Sequence, residues 1–133
     1  MVKAGDRYWA RTNTTIDGQQ EGHYFFVLLD PCGPDYITLI VPYCTKRVGF
    51  HDPTCILRAG NPPFLTSDSY VDYRYADTKS AHDIDKEIAD GRARVSETIS
   101  APLLQTVCHG ILASPFTKRR IKLWYQEFLL DTL

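Results

Sequence analysis

His23, Thr45, Lys46, Arg47 and His51 are the side chains whose types and spacing suit chemistry on a phosphate. The last four fall within seven positions, directly after the apolar run Tyr36-Ile37-Thr38-Leu39-Ile40-Val41-Pro42-Tyr43-Cys44. Breaking a phosphodiester without a metal needs a base, an acid for the leaving oxygen and cations for the charge that gathers on the phosphoryl oxygens. His23 suits the base, since an imidazole exchanges protons near neutral pH. Thr45 suits a hydrogen-bond donor, and Lys46, Arg47 and Arg11 suit the cations. A polar strand start at His23 and a solvated Lys46-Arg47 turn would account for the same residues with no chemistry at all.

Three further groups carry reactive or sticky side chains. Cys44, His51 and Cys55, with Asp52 beside them, are of zinc-ligand type, but their C-x6-H-x3-C spacing is no recognised knuckle, so no metal and no cofactor is expected. Tyr8, Trp9, Tyr70, Tyr73 and Tyr75 could stack nucleobases, although alternating tyrosines on a strand usually pack a core. Lys118-Arg119-Arg120-Ile121-Lys122 opens a helix with cations, at the end where the helix dipole favours negative charge by a few tenths to about 1 kcal/mol. Stability does not place them there, so Lys118, Arg119 and Arg120 read as contacts for RNA phosphate or an acidic partner, with a solvated charge face as the plain alternative.

The elements that must hold these side chains follow from length and pattern. A chain of 133 residues suits one domain, 1–133, and buries roughly two thirds of its unfolded surface without a metal or a bridge. Apolar residues make up 44% and charged residues 23%, and no apolar run reaches the roughly 20 residues that span a bilayer, so no membrane segment is expected. The start, Met1-Val2-Lys3-Ala4-Gly5-Asp6, has no apolar signal core, which points to the cytoplasm. Four cysteines without a C-x-x-C pair are then expected as free thiols. A net charge of −1 argues against a surface given over wholly to nucleic acid and leaves room for a local basic patch.

Strand signals occupy about 6–78 and helix signals about 82 onward, an α+β order, mostly β. Tyr8-Trp9 marks a first strand, and 11–22 reads as a long exposed loop that carries Arg11. Strands over 23–29 and 36–44 flank the Pro/Gly turn at 30–35 as an antiparallel hairpin. Their continuous apolar character implies burial on both faces, hence a small closed barrel with something packed outside. A further strand is expected over 54–57, and another over 69–76 with Tyr70, Asp72 and Arg74 wet and Val71, Tyr73 and Tyr75 buried. Ile84 and Ile88 suggest a short helix opened by His82-Asp83 and ended by Gly91. Ser100 caps a firmer helix carrying Leu103, Leu104, Val107, Cys108, Ile111 and Leu112. A last helix begins near Thr117, with Ile121, Trp124, Tyr125, Phe128 and Leu129 on one stripe.

In this order the elements resemble the MazF/PemK toxin family. Gly5-Asp6-Arg7-Tyr8-Trp9 is similar to the family's opening strand, Gln20-Glu21-Gly22-His23 with Phe25-Phe26-Val27-Leu28-Leu29 to its second, and Ile40-Val41-Pro42-Tyr43-Cys44-Thr45 to its third. Asp68-Ser69-Tyr70-Val71 resembles a later strand, and Ile99-Ser100-Ala101-Pro102-Leu103-Leu104 resembles the start of the terminal helix. The likeness spans about 5–113 and leaves the basic last helix outside it. It implies an SH3-like antiparallel barrel over about 5–78 with helices over about 82–133, and a homodimer. It further implies metal-independent endoribonuclease activity on single-stranded RNA within a type II toxin–antitoxin pair, an acidic antitoxin peptide lying in the same groove. The family's active threonine or serine falls on Cys44 or Thr45 according to register, and Thr45 is carried over. The family's second-strand arginine, which helps protonate the leaving oxygen, is Tyr24 here. That substitution places Tyr24 at the RNA and favours a rival, a non-catalytic SH3-like module that binds a protein partner or nucleic acid.

Overall fold

Alternation along β1 (Asp6–Arg11) turns Tyr8 and Ala10 to one side and Arg7 and Trp9 to the other. The computed structural model describes residues 1–11 and 22–132, and in it β1 pairs antiparallel with β2 (Gly22–Val27), Tyr8 opposite Phe25 and Arg11 opposite Gly22. Most of the stretch expected as a long loop, with Gln20 and Glu21, lies outside the described residues. Through the 30–35 turn β2 leads into β3 (Ile37–Thr45), Phe25 opposite Pro42 and Val27 opposite Ile40, which is the expected hairpin.

The far edge of β3 is shared by two strands. Ile40 pairs with Asp77 of β6 (Asp77–Ser80), while Thr45 pairs with Ser69 of β5 (Ser69–Val71). β4 (Ile56–Leu57) adds to β5, and β7 (Ala93–Thr98) adds to β1. Among the described residues the sheet therefore holds seven antiparallel strands in the order β4-β5-β3-β2-β1-β7, with β6 beside β3. Three helices complete the α+β fold: α1 (Ala81–Ala89), α2 (Ala101–Ala113) and α3 (Arg119–Asp131).

Both faces of the sheet are covered. Phe26, Leu39 and Val41 pack with Val107 and Ile111 of α2 and with Ile121 and Tyr125 of α3. Their strand neighbours Phe25, Val27 and Ile40 pack with Tyr8, Tyr70 and Ile84 of α1. Successive strand residues point to opposite faces, so two cores require the uninterrupted apolar runs that β2 and β3 carry. Each fully buried large side chain adds about 1.5–3 kcal/mol.

Local signals place the helices. The Ser100 hydroxyl accepts from Leu103 N at 3.3 Å, and Pro102 sits in the first turn of α2, where its missing N–H costs nothing. Ser80 caps α1 in the same way, accepting from His82 N at 3.2 Å, so that helix opens at Ala81, one residue before the expected His82-Asp83. Gly91, with φ of 75°, follows its end as expected.

Three expectations are corrected. The region after 82 is not wholly helical: β7 intervenes between α1 and α2, and because only Ala93 of its six residues is buried, it carries no hydrophobic alternation. The stretch 69–76 is not one strand. Asp72 accepts from Arg74 N and turns the chain into a 3-10 helix, Tyr73–Tyr75, while Tyr70 and Asp72 are fully buried instead of wet. Arg11 belongs to the end of β1 and not to a loop, its N–H donating to Arg92 O at 3.0 Å. No helix of the described residues is long and apolar enough to cross a membrane, and Cys32, Cys44, Cys55 and Cys108 are free thiols.

Candidate functional site

His23 is the second residue of β2, 6% exposed and opposite Ala10. It shares a face with Phe25 and Val27, and so with the core beneath α1. The β2–β3 pairing ends at Phe25 opposite Pro42, and two residues further along β3 Cys44 pairs with Tyr70 of β5. The stack of Tyr24 on Tyr43, ring centroids 6.0 Å apart, lies just beyond that last β2–β3 pair. Thr45 is the exposed last residue of β3, Lys46 N donates to Asp68 O at 2.9 Å, and Arg47 is exposed just beyond. The three proposed catalytic residues thus sit at adjoining strand ends, but alternation turns His23 inward and Thr45 to the other face.

That other face is built of stacked rings and guanidinium groups. Tyr24 is half-buried opposite Trp9, and the Arg7 guanidinium lies 4.2 Å from the Tyr24 ring centroid and 4.0 Å from that of Phe64. Arg7 donates to the Tyr43 hydroxyl at 2.8 Å and to Ser96 Oγ at 3.0 Å, and pairs with Glu97 at 2.6 Å. Burial works against the Arg7 charge, and Tyr43 and Glu97 more than offset it, so the guanidinium pKa is raised. Arg94 of β7 lies 4.8 Å over Trp9, with Nη2 3.5 Å from the Tyr24 hydroxyl. A guanidinium therefore does rest on position 24, delivered by β1 and committed to Glu97. Arg7, Arg94 and Glu97 were not among the expected site residues, although the alternation Arg7-Tyr8-Trp9 was available as a signal for the first.

On the His23 face a cavity of about 320 Å³ is lined by Tyr8 and Arg11 of β1, Phe25 of β2, Lys79 of β6, Tyr75 and Lys118. Arg11 and Lys118, both expected at RNA, are brought together here from opposite ends of the chain. Lys118 is the exposed N-cap of α3, whose first turn has no side-chain cap. Arg120 pairs with Asp77 at 3.0 Å and ties α3 to β6, Lys122 Nζ donates to Leu112 O at 3.3 Å, and Arg119 is exposed. Tertiary partners thus account for two of the cations that oppose the helix dipole. Lys79 is engaged by Glu87 at 2.5 Å, whereas among the described residues neither Arg11 nor Lys118 joins an ion pair. Among the described residues the Tyr8 hydroxyl and Glu87 Oε2 are both buried without a hydrogen-bond partner, and burial, then the Glu87 charge, raise the Tyr8 pKa, which keeps the phenol a neutral donor.

Asp52 is fully buried and accepts from Thr54 N at 2.9 Å and Ser114 Oγ at 2.5 Å, a tie between the β3–β4 connection and the end of α2. Among the described residues no three His, Cys, Asp or Glu side chains gather as a metal would need. Of the aromatic set, Tyr8, Tyr70 and Tyr73 are core residues, and Trp9 and Tyr75 keep partial exposure. No family model and no curated protein sequence matches the chain.

Proposed function

We propose that this chain is a toxin-like endoribonuclease of a type II toxin–antitoxin pair, a cytoplasmic SH3-like barrel that cuts single-stranded RNA without a metal. What supports the reading is that His23 lies at the start of β2 and Thr45 at the end of the antiparallel β3, with the exposed cations Lys46 and Arg47 directly after it. His23 takes the proton of a 2′-hydroxyl, the 2′-oxygen closes on phosphorus, and the 5′-oxygen leaves with a proton from solvent. In this reading the phosphate lies across the strand ends, so that Thr45 donates to it from the face opposite His23, and Arg47 with Lys46 balances the charge that develops there. A homodimer and an acidic antitoxin peptide over the same groove complete this reading.

Incubation with single-stranded RNA in EDTA tests it: the protein shortens the RNA, and His23→Ala slows cleavage by about a hundredfold or more, the usual share of a general base. Cleavage that is unaltered in that variant removes His23 from the mechanism.

A specific observation favours the second reading, a barrel that binds RNA or a protein without cutting. Position 24 is a tyrosine, and the guanidinium resting on it is neutralised by Glu97. A gel shift that weakens steeply with salt while RNA length stays constant would select this module over the enzyme.

A further inference from the structure

We propose that the cavity between Tyr8, Arg11, Lys79 and Lys118 binds a nucleotide, taking its phosphate on the cations and its ring against Tyr75. Three independent features support a ligand of that chemistry. The first is charge: Asp77, which also lines the cavity, and Glu87 already face Arg120 and Lys79, so Arg11 and Lys118 bring to the rim two positive charges that join no ion pair among the described residues. The second is the Tyr8 hydroxyl, a donor held in the interior by the stack of its ring on Phe25 at 5.4 Å and, like Glu87 Oε2 whose charge it feels, without a hydrogen-bond partner among the described residues. A buried donor in that state destabilises the empty protein, and a ligand oxygen is the group that would relieve it. The third is size. About 320 Å³ is more than an inorganic phosphate fills and lies at the small end of organic-ligand pockets, and the half-exposed Tyr75 supplies a face for a base. The edge at Lys118 is also the uncapped start of α3, whose free amides carry partial positive charge.

The pocket is separate from the proposed cleavage chemistry and stands whether or not the chain cuts RNA. Its nucleotide is either free or one unit of an RNA strand, and the phosphate contacts are the same in both cases.

Calorimetric titration of the full chain with 5′-AMP, with adenosine and with inorganic phosphate decides the matter. AMP binds, and adenosine binds about tenfold weaker or not at all. Lys118→Ala lowers AMP affinity about tenfold, and Tyr8→Phe lowers it severalfold, the ordinary worth of a charged and a neutral hydrogen bond. Tyr8→Phe keeps the ring packing and removes an unsatisfied hydroxyl, so its melting temperature equals or exceeds the parent's, and weaker binding in that variant is not unfolding. Displacement of AMP by a short single-stranded RNA supports a subsite for the strand, and retention of AMP in its presence supports a pocket for free nucleotides. No AMP binding, or AMP binding unchanged in both variants, overturns the proposal. Failure of the cleavage reading would appear in the His23→Ala assay alone and would leave these titrations as they are.

Discussion

Asp72 has no exposed surface, and Arg74 occupies both of its oxygens, Nε to Oδ1 at 2.9 Å and Nη2 to Oδ2 at 2.7 Å. The same guanidinium lies 3.8 Å over Phe50, so one planar cation satisfies a buried carboxylate and covers an exposed ring. The Asp72 hydrogen bonds raise the Arg74 pKa against the opposing effect of burial. Removing the cation leaves a charge in the interior, and Arg74→Ala is expected to lower unfolding free energy by about 3 kcal/mol in urea titrations, the lower end for a broken buried pair. Arg74→Lys restores little of this, because an ammonium cannot span two oxygens in the plane. A loss below about 1 kcal/mol for Arg74→Ala would show that Asp72 finds another partner. Neither residue announces this in the sequence, where an acid and a base alternating with tyrosines describe a wet strand face equally well.

At the scale of elements, the β5–3-10 segment and α2 are joined through one hydroxyl and one glycine. Tyr73 donates to Val107 O at 2.7 Å, and its phenol occupies the space where a side chain at Gly110 would begin. Gly110 has no unusual backbone role to explain it, so its reason is close approach. Gly110→Ala is therefore expected to destabilise by about 3 kcal/mol despite the better helix propensity of alanine. An increase in thermal stability for that variant would refute the close packing. Ser100, by contrast, was legible as a cap from its position ahead of Pro102 and an apolar run, because capping is decided within four residues of chain. β7 was not legible: its strand character comes from β1, which supplies the hydrogen-bond partners, and not from its own apolar pattern.

Across the whole molecule, α2 and α3 close over the sheet with two titratable groups at their seam. Burial pushes the Cys108 thiol up to about 11, the Tyr125 hydroxyl relieving this only in part, and burial followed by the Cys108 charge pushes Tyr125 up to about 12. The unfolded chain releases these protons first, at the ordinary values near 9 and 10, so the native state is the one that holds them. Their contribution to stability is complete below about pH 9 and is lost as the pH rises towards about 12. Denaturant midpoints should fall between pH 8.5 and pH 11 by roughly the steepness that proton linkage allows, and Cys108→Ala should flatten part of that fall. Midpoints that hold level over this range would place both groups in contact with solvent.

The chain's own pattern determined the hairpin of β2 and β3, the two-faced burial, the serine-capped α2 and the stripe on α3, because each rests on periodicity or capping within a few neighbouring residues. It also offered Arg11 and Lys118, together with Lys46, Arg47, Arg119 and Arg120, as cations for RNA. Only the tertiary structure decided that Arg11 and Lys118 meet at one cavity, that the Tyr8 hydroxyl has no partner among the described residues, and that Arg7 crosses from β1 to rest on Tyr24. Such contacts depend on how strands from distant parts of the chain are laid side by side. No local free energy encodes that order, which is set by the way the two apolar faces are buried together.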